Sequence, residues 1–161
     1  IKLARMYVRQ KKGDRAVAVM EQGVRENPRS AVLFSNLINL YILEKKYQPA
    51  IEFCQANIRK NSKDAFSHNL LGKVYASQKQ YSLAEKAFET AVEFQPLWPE
   101  PHNNLARLYL VQGKREKAVK KFQAALKANP KNPSAYLSLA YIFEKSVNEN
   151  LSALQFKLPL V

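Results

Sequence analysis

The chain has 161 residues, of which 47% are apolar and 24% charged, and it carries a formal charge of +13 at neutral pH. That balance suits one globular domain with its own core, and four glycines against eight prolines favour helices punctuated at intervals over a sheet built on tight turns. The single cysteine, Cys54, excludes an internal disulfide, no apolar run is long enough to span a bilayer, and the excess of cations favours acidic partners.

The first segment, residues 1–30, enters part-way into a helix carrying Leu3, Ala4 and Tyr7, and a second helix follows with Ala16 and Met20 before Pro28. Residues 31–64 repeat the plan with Leu37, Ile38 and Tyr41, then Ala50 and Cys54, with Ser62 where proline would stand. In residues 65–98 the series is Leu71, Gly72, Tyr75, the polar break "ASQKQYS", then Ala84, Phe88 and Pro96. Residues 99–132 give Leu105, Ala106, Tyr109, the break "VQGKRE", then Ala118, Phe122 and Pro130. The last segment, 133–161, has Leu139, Ala140 and Phe143, and its expected second helix carries Ser152 and Phe156 until Pro159 stops it early, leaving an extended apolar tail, "LPLV".

These columns align without a gap at a period of 34 residues. Apolar residues recur at helical spacing on both sides of each polar break, small residues mark close helix approach, and proline separates one helix from the next. Each repeat is therefore a pair of antiparallel helices that buries its apolar face only by stacking on a neighbour. The expected fold is all-α: a single domain, 1–161, of about five stacked pairs, the first and last incomplete.

The stretch "LLGKVYASQKQYSLAEKAFETAVEFQP" resembles the tetratricopeptide repeats nearly column for column in its "LG..Y", "A...F..A" and closing "P" pattern. The resemblance covers essentially the whole chain and implies a right-handed α-solenoid that serves as a scaffold for protein partners. It also implies that the first helices of successive repeats line a concave groove.

Advancing 100° per residue along the first helix of the second repeat puts Phe34, Leu37, Ile38 and Tyr41 on one side, and Val32, Asn36, Asn39 and Leu43 opposite. Carried through the repeats, the opposite face gives a column of Lys2, Asn36, Leu70, Asn104 and Ser138. Beside it runs Arg5, Asn39, Lys73, Arg107 and Tyr141, with Asn69 and Asn103 on the flank. An asparagine amide both donates and accepts, so it can pair with a ligand's peptide unit, and Arg5, Lys73 and Arg107 can hold carboxylates. The groove residues read from the sequence are thus Arg5, Asn36, Asn39, Asn69, Lys73, Asn103, Asn104, Arg107 and Tyr141, and the expected ligand is an extended, acidic peptide of a partner protein. The resembling family also includes variants that grip a terminal carboxylate, but Ser134 and Ser138 stand in the last repeat where cations would be needed.

Other features have plainer readings. His68 and His102 share a column with Phe34 and Tyr136, so the slot wants a ring, and no ligand cluster accompanies them. Cys54 stands where other repeats hold Phe or Met and reads as a buried thiol. Trp98, within "QPLWPEP", reads as packing over a junction and capping the following helix, with contact to a ligand at the groove's edge as the alternative. Residues 99–132 hold eight basic and two acidic side chains, Lys114, Lys117, Lys120, Lys121 and Lys127 among them. Binding of nucleic acid or an anionic surface through that helix is the rival reading, disfavoured because no exposed aromatics are interleaved with the lysines. Self-association through the open ends or the "FKLPLV" tail is a third. No nucleophile motif, phosphate loop or metal spacing is present, so neither an enzyme nor a cofactor is expected. Because the sequence starts at Ile1, it reads as part of a longer chain whose targeting signals lie elsewhere, with a soluble, cytoplasmic setting expected.

Overall fold

The structure, a computed structural model, describes residues 1–155, with side chains described to Ser146; Phe156, Pro159 and the tail expectation attached to them lie outside the described residues. Among the described residues the elements are all helices: α1 (Lys2–Arg9), α2 (Gly13–Glu26), α3 (Ala31–Leu43), α4 (Tyr47–Lys60), α5 (Ala65–Ser77), α6 (Tyr81–Phe94), α7 (Pro99–Val111), α8 (Arg115–Ala128) and α9 (Pro133–Gln155). None of the helices searched is long and apolar enough to cross a membrane.

The 34-residue period is visible in the backbone at both kinds of turn. Ahead of α3, α5 and α9 stand Ser30, Asp64 and Asn132, whose side chains accept from the N–H groups of Leu33, Phe66 and Ala135, satisfying donors that a helix start leaves open. The fourth member of that column is Trp98, which makes no side-chain cap but is followed by Pro99 at the head of α7, where a missing N–H costs nothing. Within each repeat the first helix ends in one geometry. The N–H groups of Lys12, Lys46, Gln80 and Lys114 donate to the carbonyls of Tyr7, Tyr41, Tyr75 and Tyr109 at 2.8–2.9 Å. The residue just before each donor adopts a left-handed backbone: Lys11 at φ 57°, Lys45 at 55°, Lys79 at 60° and Gly113 at 72°. This is the Schellman ending, and it turns the chain back into the second helix.

The fifth member of that column is Val147, and here the expected helix pair is corrected. α9 runs unbroken from Pro133 to Gln155, straight through Val147. A β-branched side chain is the least tolerant of a left-handed backbone, so the turn made by lysine or glycine in the other repeats is not made and the helix continues.

The chain divides into two compact units, residues Ile1–Ala87 and Phe88–Val161. In the first, α1 packs on α2, α2 on α3, α3 on α4 and α5, and α4 on α5. Its core joins the column residues Ala4, Ala16, Met20, Leu37, Ile38, Tyr41, Ala50 and Cys54, and Phe34 lies 4.6 Å from Phe53, ring centre to ring centre. In the second unit α8 packs between α7 and α9, and Ala106, Phe122, Ala125, Ala135, Leu139 and Ile142 form the core. Alanines fall where backbones meet and large residues where they part, which lets close-packed helices interlock.

Candidate groove and its side chains

In the first unit the structure brings three of the sequence-nominated residues together. Arg5 of α1 and Asn36 and Asn39 of α3 line a cavity of about 170 Å³ whose remaining walls are Ile1, Ala4, Val8, Met20, Leu40 and Leu43. Arg5 and Asn39 are exposed and Asn36 half-buried, because α3 turns its Leu37, Ile38 and Tyr41 inward and presents the opposite face. No acidic residue lines the cavity, so a carboxylate entering it meets Arg5 without a competing anion. Leu43, 61% exposed, is a wall residue that the sequence reading passed over, although its position on the face opposite the core was the available signal. Val8 and Met20 gave no such signal.

Asn69 is corrected. It is 0% exposed and its neighbour Leu70 is equally interior, so neither offers a surface to a ligand in this structure. α5 packs against both α3 and α4 and buries Ala65, Ser67, Asn69, Leu70, Leu71, Gly72 and Val74. A helix covered on several sides has little free face, and an amide placed by one-helix geometry then falls inside. Lys73, one turn on, is half-buried.

In the second unit Arg107 is exposed and its Nη2 donates to Ser134 Oγ at 2.8 Å, tying α7 to α9. The hydroxyl is neutral, so this bond orients the guanidinium without cancelling its charge. Asn103 and Asn104 are half-buried, and the Oδ1 of Asn103 is buried with no hydrogen-bond partner among the described residues. Tyr141 is exposed.

Several other titratable groups are held by local contacts or burial. Nε2 of His68 and of His102 lies 2.9 Å from the carbonyls of Ser62 and Pro96, so each ring donates to the loop six residues back and staples it. Among the described residues no group of three or more His, Cys, Asp or Glu could hold a metal ion. Burial, with a smaller push from Asp64, raises the Cys54 thiol to about 12. Tyr41 is held well above the ordinary phenol range, first by burial and then by the bond its hydroxyl donates to Glu21 Oε1 at 2.7 Å. On the surface, the hydrogen bond from Lys46 and then its charge lower the Asp14 carboxyl, and the same bond raises Lys46. Lys114 and Lys117 place their ammonium groups 5.9 and 5.6 Å from the centre of the Tyr109 ring, within cation–π range.

Comparison with known proteins follows the same geometry. Residues 67–96 match a family model described as tetratricopeptide repeat, and residues 106–147 match one described as TPR repeat. No curated protein matches the chain in sequence. Among solved structures it is similar to the crystal structure of MamA, at 16% identity over 98% of this chain and 92% of that one, with a TM-score of 0.64. It is also similar to the first TPR of Spaghetti (RPAP3) bound to the HSP90 peptide SRMEEVD, at 20% identity over 73% of this chain and 93% of that one, TM-score 0.62. A third is YrrB, described as a TPR protein with an unusual peptide-binding site, at 20% identity over 85% and 71%, TM-score 0.62. At these identities the likeness speaks for the fold, an all-α helical-repeat solenoid. With its 34-residue period, its repeated turns and both matched stretches, the chain carries tetratricopeptide repeats at residues 67–96 and 106–147 within an all-α repeat fold.

Proposed function

We propose that the chain is a protein-interaction module that holds an extended, acidic segment of a partner protein. The observation that carries this reading is the cavity of the first unit, where one guanidinium and two amides border an apolar pocket free of acidic residues. An apolar ligand side chain fills the space between Val8, Met20, Leu40 and Leu43, a neighbouring carboxylate pairs with Arg5, and Asn36 and Asn39 bond the ligand's peptide units. In the second unit Arg107, Asn103, Asn104 and Tyr141 are the groups proposed for the same work, and Lys73 adds a cation on α5. Asn69 has no part in it. The HSP90 peptide bound by the RPAP3 domain is itself short and acidic, which agrees with this choice of ligand. The lysines of α8 are the less favoured surface, since Lys114 and Lys117 already lie over Tyr109 rather than beside an open ring.

The test is a fluorescence-anisotropy screen of labelled acidic peptides against the purified chain. Replacing Arg5 and Asn39 together by alanine should weaken the best binder at least tenfold while the far-UV spectrum and melting curve stay unchanged. Unaltered affinity in that variant, together with loss of binding in Lys117→Ala/Lys120→Ala/Lys121→Ala and a steep fall with salt, would place the contact on α8 and reject the groove.

A further inference from the structure

The outer side of α8 carries one kind of charge. At 100° per residue, Lys114, Lys117, Lys120, Lys121 and Lys127 fall within an arc of about 140°, and Ala124 and Ala128 fill the rest of it. Phe122 and Ala125 lie outside the arc, in the core shared with α7 and α9. Lys121 is half-buried and the other four lysines are exposed. Arg115 is turned away, its Nη1 donating to Ser146 Oγ of α9 at 3.1 Å. Glu116, beyond the margin, is the one acidic residue of α8, and among the described residues no ion pair engages any of the five lysines.

A wet outer face does not account for this arc. The same columns hold Gln80, Leu83, Lys86, Ala87 and Glu93 around α6, and Lys46, Pro49, Glu52, Phe53 and Arg59 around α4. Those sets are neutral and +1, against +5 on α8, so the repeat itself asks for no lysine at these places. Like charges three and four residues apart repel on a helix, and Lys114, Lys117, Lys120 and Lys121 therefore weaken α8 until an outside anion turns the repulsion into attraction.

We infer that this arc is a second contact surface, by which the chain lies against an anionic lipid bilayer. Lysine is a point charge without the fixed fork of arginine, and the arc has neither an aromatic ring to stack on a base nor an amide to read one. Charge alone suits mobile headgroups that gather beneath it, and a helix with four to eight basic residues is enough for anionic lipid. The apolar side of α8 is committed to the core, so the contact stays at headgroup level. Tyr109, with Lys114 and Lys117 at 5.9 and 5.6 Å from its ring centre, steadies those ammonium groups without removing their charge. The inference does not rest on the peptide-binding reading, whose residues lie on other helices.

Co-sedimentation of the purified chain with vesicles of phosphatidylcholine, with and without phosphatidylserine, tests it. The expected result is binding to the anionic vesicles only, weakening steeply as salt rises. Lys117→Ala/Lys120→Ala/Lys121→Ala should bind them roughly a hundredfold more weakly, about fivefold for each lysine, and melt no lower than the unchanged chain. Arg5→Ala/Asn39→Ala, which disables the groove, should bind vesicles as the unchanged chain does. A chain that stays in the supernatant with anionic vesicles at low salt overturns the inference, as does a triple lysine variant that pellets undiminished. So does duplex DNA that binds the chain through the same lysines more tightly than the vesicles at equal salt, because the ligand would then be nucleic acid.

Discussion

The left-handed turn residues give the sharpest test of how the sequence builds its repeats. Lys45 is exposed and sits at φ 55°, a backbone that costs an L-residue roughly 1–2 kcal/mol. Glycine removes that penalty but gives up about 0.5–1 kcal/mol through the extra freedom it loses on folding. Lys45→Gly should therefore stabilise by roughly 0.5–1 kcal/mol, and with Lys11→Gly and Lys79→Gly in one chain by about 2 kcal/mol, since the three lie on separate turns. Urea unfolding at 25 °C is the assay. With a slope of about 1–3 kcal/mol per molar, the single variant moves the midpoint up by a few tenths of a molar at constant slope. Gly113 supplies the converse, because at φ 72° an added Cβ meets nothing within 4 Å. Gly113→Ala then costs roughly 0.5–1 kcal/mol, the left-handed penalty less the chain freedom that alanine does not lose. A midpoint that is unmoved or lowered in Lys45→Gly, or a neutral Gly113→Ala, would refute the reasoning.

Three further outcomes follow from the packing and the shifted groups. Phe122→Ala, at a fully buried position of the second unit, should cost about 3–5 kcal/mol, read as a large drop in urea midpoint. Cys54, with its thiol raised to about 12, should resist a disulfide-exchange reagent in the folded chain at pH 8 and react fully in urea. Because the unfolded thiol ionises first, its contribution to stability falls as pH rises through the ordinary thiol range, and rapid labelling of the native chain would contradict the burial. Asp14 has a lowered value in the pair with Lys46, so its contribution is present above the ordinary carboxylate range and lost as pH falls through the depressed value. Lys46, raised, keeps its share at neutral pH and loses it only above the ordinary lysine range. In Lys46→Met the NMR titration of Asp14 should move up toward its ordinary value.

The fold was legible because its signal repeats. Leu37, Leu71, Leu105 and Leu139 recur with an aromatic four residues on, and a column needs no knowledge of what it touches to be seen. The site was less so. One-helix geometry sets Asn36 and Asn39 on the face that α3 leaves open, where Asn36 is half-buried and Asn39 exposed, whereas Asn69 is buried because α5 keeps almost no open face. How many neighbours a helix has is set by packing that its own sequence does not state. The apolar walls at Val8 and Met20 were hidden for a related reason: they sit on different helices, and only assembly makes them one pocket.

The same argument explains why the last repeat was misread. The columns of Ser152 and Phe156 point to a second helix, but a helix pair requires a turn as well as two faces. That turn rests on one torsion, at Lys11, Lys45, Lys79, Gly113 and Val147 in succession. Lysine adopts it at some strain, glycine adopts it freely, and valine does not adopt it here. Val147→Gly should therefore let the backbone turn at this position as it does at Gly113, whereas Val147 continues the helix.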